Sequence, residues 1–129
     1  IQASGVTLES GVDGSGTVLL SYDDLDVVVM HSKIHRTSTP SEIIGEKGRI
    51  IIDDIATCDD VRLELRNGTS EIISEAQNAP MSYEIEAFVR AIEDRKSETD
   101  AHSATDMIRL ADVMTNVRKQ LGVVYPADR

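Results

Sequence analysis

Polar and apolar residues alternate with a period of two along the first part of the chain, then switch to a helical period after Pro80. The alternation reads as six or seven short strands between Ile1 and about Ser74, broken by turn residues. Val6 and Leu8 mark the first strand, and Thr17 to Tyr22 the second. Asp13-Gly14 between them tolerates the positive φ of a tight turn, so residues 11–16 are expected to form a hairpin turn. A long third strand runs from Leu25 to about Arg36, followed by strands over Ser41 to Ile44, Arg49 to Asp53, Val61 to Arg66 and Glu71 to Ser74. Glu46-Lys47-Gly48 and Asn67-Gly68 supply two of the turns, and the Ile50-Ile51-Ile52 run suggests burial on both faces.

Two helices follow. Ser82 is the expected N-cap of the first, whose apolar stripe is Ile85, Phe88, Val89 and Ile92. Ser103 caps the second, with Asp106 three residues on, and Met107, Leu110, Ala111, Met114, Val117 and Leu121 form its stripe. Gly122 suits the C-terminal cap and Pro126 bars continuation. Strands first and helices after predict an α+β fold: an open-faced, mostly antiparallel sheet with two C-terminal helices packed on one face. Two helices cannot cover both faces of such a sheet, so the other face is either polar or meets something else. On the third strand Val27, Val29, His31, Lys33 and His35 share one face, and Val28, Met30, Ser32 and Ile34 the other. The second set, with Met107 and Met114, is expected to be core. The histidine face is expected to be the open one.

Composition narrows the function classes. The 129 residues suit one domain, and 13 basic against 23 acidic side chains leave a net charge of −10. Such a balance argues against nucleic acid and anionic membranes as partners. No apolar run reaches the ~20 residues of a membrane span. Cys58 is the single cysteine, which fits a reducing cytoplasm, and Asp59 and Asp60 beside it disfavour a thiolate. The chain starts at Ile1, directly in a strand, and reads as part of a longer protein. Gly11, Gly14 and Gly16 follow no buried strand and open no helix, so they do not make a dinucleotide loop.

His31, Lys33 and His35 at i, i+2 and i+4 on a strand project to one side, each about 7 Å from the next, and two histidines on one strand face are candidates to hold a metal given a third ligand. No carboxylate or cysteine shares that pattern, so packing on another domain or subunit is the simpler reading. His31, Lys33 and His35 are therefore the candidate substrate or interface residues, with no metal assigned. His102 reads as a loop histidine among carboxylates, and Asp23, Asp24 and Asp26 as a solvated turn.

Several stretches together resemble the C-terminal domain of the Gfo/Idh/MocA oxidoreductases, named for glucose-fructose oxidoreductase and inositol 2-dehydrogenase. They are Gly16-Thr17-Val18-Leu19-Leu20, Ser32-Lys33-Ile34-His35 and the run Pro40 to Ile50, whose Ile43-x-Gly45-x-x-Gly48-x-Ile50 is a strand-turn-strand motif. Tyr83 to Phe88 and Gly122 to Pro126 complete the likeness. The resemblance implies a parent with an N-terminal Rossmann domain, absent from this chain, that binds NAD or NADP and carries a catalytic lysine. It implies that residues 1–129 help form the substrate pocket for a sugar or cyclitol and make homo-oligomer contacts through the open sheet. No cofactor site and no turnover are expected of the chain alone. The family's Asp-x-x-x-His pair has no match, since Glu98 to His102 has the spacing but a different first residue, and no catalytic residue carries over. A free-standing interaction or small-ligand module without catalysis is the competing reading.

Overall fold

The computed structural model describes residues 1–74 and 81–128. It is α+β and open, with every strand pair antiparallel. The strands form two sheets where one was expected, and the chain divides into two compact units. The first unit comprises Ile1–Arg36 and Asp100–Arg129, and the second Thr37–Thr99. The two helices fall in different units.

In the first unit, β1 (Gln2–Thr7), β2 (Asp13–Ser21) and β3 (Asp26–Ser32) form a sheet in that order. The turn between β1 and β2 centres on Leu8–Gly11, closed by Gly11 N–H to the Leu8 carbonyl at 2.9 Å with Gly11 at φ 83. Gly11 already supplies the positive φ, so Asp13-Gly14 joins the strand instead of making the turn. The third strand ends at Ser32, four residues short of the expected Arg36. There the Ser32 hydroxyl accepts from the amides of Ile34 (3.1 Å) and His35 (2.8 Å), replacing ladder bonds with a local turn.

Helix α2 (Ala104–Gln120) lies against β1 in this unit. The Gln120 side chain accepts from the Ala3 amide at 2.8 Å, and the Thr7 hydroxyl donates to the Leu121 carbonyl at 3.2 Å. Its start is as expected: Ser103 Oγ accepts from Asp106 N–H at 3.1 Å and donates to the Asp106 carboxylate at 2.6 Å. Its end is a Schellman motif around Gly122 at φ 72, with Val123 N–H reaching the Arg118 carbonyl at 3.0 Å and Gly122 N–H that of Lys119 at 3.2 Å. Val123, folded back by this turn, is among the most buried residues at 4 % exposure.

In the second unit, β4 (Ser41–Ile44), β5 (Gly48–Ile52), β6 (Val61–Leu65) and β7 (Ser70–Ile72) form a meander. Gly45 N–H meets the Gly48 carbonyl at 2.9 Å across the Glu46-Lys47 turn. A side chain at Gly48 would stand 2.3 Å from the Glu64 carbonyl, so this position of the strand-turn-strand motif needs glycine. One face carries Arg49 between Glu42 (3.2 Å) and Glu64 (2.9 Å) on the flanking strands. Ile51 and Ile52 are buried, in line with their apolar run. Helix α1 (Ser82–Glu93) is capped by Met81, not by Ser82: Met81 takes the left-handed N-cap position, and the buried Ser82 hydroxyl has no partner among the described residues. Pro80, read as preceding this helix, lies outside the described residues. Ile85, Phe88, Val89 and Ile92 form the stripe the spacing predicts, and all are exposed.

Candidate functional site

The sheet face that meets α2 is the opposite of the one expected. Cross-strand register puts Val18 beside Val29, Leu20 beside Val27 and Gly16 beside His31, on the face towards the helix. Val28 and Met30 stand on the other face, 65 % and 66 % exposed, and Ile34 is exposed as well. Met107 and Met114, expected in the core, are exposed along α2. The histidine face is therefore the helix-covered one, and the Val28–Met30 face is open. The sequence pattern of β3 is half-apolar on both sides and does not choose between them. Val18 and Leu20 on β2 do.

Between this face and α2 lies a cavity of about 560 Å³, lined wholly by the first unit. Its walls are mostly aliphatic, from Val18, Leu20 and Val29 on the sheet and from Leu110, Met114 and Val117 on the helix. Two polar groups reach it. The first is Asp13 and His31, with Lys33 behind them outside the lining: His31 Nε2 and Asp13 Oδ2 are 2.9 Å apart, and Lys33 Nζ reaches Asp13 Oδ1 at 2.6 Å. The Lys33 ammonium lowers the Asp13 carboxyl below its ordinary range, partial burial opposes it, and the bonds from its own backbone amide and from His31 lower it further. An ionised Asp13 only accepts, so His31 Nε2 carries the proton in that bond. The second group is Arg118, held by Asp128 with Nη2 to Oδ1 at 3.3 Å and stacked 4.2 Å from the centre of the Tyr125 ring. Tyr125 N–H also donates to Asp128 at 2.7 Å, so the 3₁₀ turn Pro126–Asp128 is tied to the end of α2.

Of the three residues read as a site, His31 and Lys33 are brought together, and His35 is not. His35 lies beyond the end of β3 and is exposed, so it no longer shares a strand face with His31. The missing carboxylate comes from Asp13 on the neighbouring strand, which the turn reading of Asp13-Gly14 concealed. No cluster of three metal-ligating side chains occurs among the described residues. Arg118, Tyr125 and Asp128 carry no sequence signal beyond a late arginine in a helix; only the Schellman turn brings them together. Gly14 and Gly16 sit inside β2 against Leu8 and His31, not at a strand-to-helix turn, so they do not fit a dinucleotide's phosphates. No helix among the described residues is long and apolar enough to cross a membrane.

An open α+β unit with a cavity between sheet and helix does not name a chemistry, but its relatives do. No family model matches the chain. Over 100% of its length it is 44% identical to the scyllo-inositol 2-dehydrogenase (NADP(+)) IolU of Bacillus subtilis (strain 168), of which it covers 40%. It is 32% identical, over 99% of its length, to 39% of the uncharacterized oxidoreductase YgjR of Escherichia coli (strain K12). It is 30% identical, again over 99%, to 41% of the trans-1,2-dihydrobenzene-1,2-diol dehydrogenase of Danio rerio. The chain thus spans about two-fifths of the length of these curated relatives. It is a homologue of part of an oxidoreductase. The resemblance to the C-terminal domain of the Gfo/Idh/MocA oxidoreductases is borne out.

Proposed function

We propose that this chain is the substrate-binding and subunit-contact portion of an NAD(P)-dependent oxidoreductase acting on a sugar or cyclitol. The observation that carries the reading is its end-to-end identity of 44% with two-fifths of an enzyme named for scyllo-inositol and NADP(+). Two of the relatives' names denote six-membered carbocycles bearing hydroxyls. The dinucleotide, which supplies the hydride acceptor, binds outside this chain, in the Rossmann domain. The cavity with His31 and Lys33 is the substrate-facing part. The open sheet face is the homo-oligomer contact, and it carries Val6, Leu19, Val28 and Met30. The chain alone does not turn over.

The test is an assay of dinucleotide reduction over a panel of cyclitols and sugars, with NAD⁺ and with NADP⁺. The natural gene product and the 129-residue chain are run side by side. Reduction by the first and none by the second is expected. Turnover by the chain alone, or none by either, sinks the reading. A free-standing ligand-binding module is favoured by one observation, that a single unit lines the whole cavity. Ligand binding by a natural product without any dinucleotide chemistry would decide for it.

A further inference from the structure

The imidazole of His31 is held in a way that its packing alone does not require. Its Nε2 edge is tied to Asp13 at 2.9 Å, and Asp13 is itself pinned by Lys33 at 2.6 Å. A side chain at Gly16 would stand 2.6 Å from His31 Cε1 and 3.3 Å from Nε2, so this edge of the ring occupies a place only glycine leaves open. With Nε2 protonated and committed to Asp13, the other ring nitrogen, Nδ1, is an acceptor with no hydrogen-bond partner among the described residues. The ring belongs to the wall of a cavity whose volume lies in the range of small-molecule sites.

We propose that this cavity binds a neutral ligand with an apolar ring face and a hydroxyl, and that His31 Nδ1 accepts the hydrogen bond of that hydroxyl. Asp13 acts as a positioning residue that fixes the imidazole tautomer. Charge decides against an anionic ligand. Arg118, the cationic side chain in the lining, is already neutralised by Asp128 and capped by Tyr125. Lys33 is neutralised by Asp13, and the chain carries a net charge of −10. A carboxylate or phosphate would enter an aliphatic cavity with no free cation to meet it. A polyol with no apolar face would leave the Val18, Val29 and Leu110 walls against water. The inference rests on the reading of this cavity as the substrate-facing part and names the chemistry of its ligand; its test needs only this chain, so its failure is distinct from a failure of the dinucleotide assay.

The test uses the 129-residue chain and three probes: trans-1,2-cyclohexanediol, methoxycyclohexane, which accepts but cannot donate, and cyclohexanecarboxylate. Nuclear magnetic resonance reports the His31 tautomer from its ring nitrogen shifts and the affinity of each probe from the amide shifts of the lining residues. The expected result is an Nε2–H tautomer, and the diol binding at least fivefold tighter than the ether or the acid. Asp13→Asn presents an amide donor to Nε2 and favours the Nδ1–H tautomer. The preference for the diol over the ether should then fall several-fold while the cavity remains. His31→Phe, which keeps the ring without its nitrogens, should lose the preference as well. An Nδ1–H tautomer in the parent chain overturns the proposal, as does equal binding of diol and ether there. Tighter binding of the acid overturns the neutral-ligand assignment. If His31→Phe does not fold, the tautomer and the Asp13→Asn comparison still decide.

Discussion

Asp13 gathers more of the site than any other residue, and its chemistry sets a pH dependence. Its carboxyl sits below the ordinary 3.8, with the Lys33 bond as the main cause. A group whose acidity is strengthened by folding stabilises the native state above its ordinary value. That contribution is lost as the pH falls through its folded value. Asp13→Asn is therefore expected to lower the urea midpoint at pH 7, and the gap from the parent should close as the pH drops below 3.8. Lys33 is 57% exposed, so water screens the pair and the effect is modest. A gap that persists unchanged at pH 2 would show that Asp13 contributes through packing instead. This residue also marks a limit of sequence reasoning. Asp13-Gly14 has the composition of a tight turn, yet Gly11 upstream closes the turn and frees Asp13 to pair with His31 across the sheet.

Helix ends are the elements whose chemistry can be tested most directly. Ser103 with Asp106 and Gly122 at φ 72 were both legible, because each works through neighbours in sequence. Ser103→Ala should cost about 1 kcal/mol by leaving the Asp106 amide without its cap. Gly122→Ala should cost roughly 1 kcal/mol, since it forces a side chain into the left-handed region. Helix α1 offers the reverse case. It also closes with a Schellman turn, Lys96 N–H to the Ala91 carbonyl at 2.8 Å, but the left-handed residue is Arg95 at φ 56. Arg95→Gly should raise stability by about 0.5 kcal/mol, the relief of strain exceeding the extra freedom of glycine in the unfolded chain. Denaturant titration of the three variants checks all of these signs. At the start of α1, Ser82 has a capping composition, yet Met81, one residue earlier, takes the cap position. The face that β3 turns to α2 is likewise not legible in β3 itself. A strand with apolar residues on both sides takes its orientation from the strand paired with it.

At the scale of the whole molecule, exposed apolar surface is the main fact. Two separate compact units of half this mass would together expose about 8,100 Å². The chain exposes 10690 Å². Large apolar side chains are among the exposed ones: Val28 and Met30 on the open sheet face, and Ile85, Phe88, Val89 and Ile92 on α1. Patches of this kind mark surfaces that meet another protein surface. Light scattering of the chain is expected to show association that rises with concentration. Met30→Glu should weaken it, because a carboxylate replaces a methionine that is 66% exposed on the open face. Phe88→Ser should leave the unfolding free energy within about 0.5 kcal/mol, as its ring is largely exposed. A loss of several kcal/mol in Phe88→Ser would show that α1 packs its stripe within the folded chain.

What the sequence determined by itself is local. Alternation with period two, turn dipeptides, an N-cap with its partner three residues on, and a glycine past the last helical turn each act within a few residues. Those features predict six or seven strands, two helices and an open, mostly antiparallel α+β fold, and the described residues hold seven strands and two α-helices. The strand-turn-strand motif and its neighbours likewise carried the family resemblance. Tertiary structure alone decided the division into two sheets and the face of β3 that turns to α2. It also brought Asp13 to His31 and Lys33, and Asp128 to Arg118. Asp13 meets Lys33 from 20 residues away, and Arg118 meets Asp128 across a helix end and a reversed turn. Such contacts depend on which strands pair and in what register, a choice made by Val18, buried, and Leu20, half-buried, on the helix-facing side of β2 and not by any residue of the site itself.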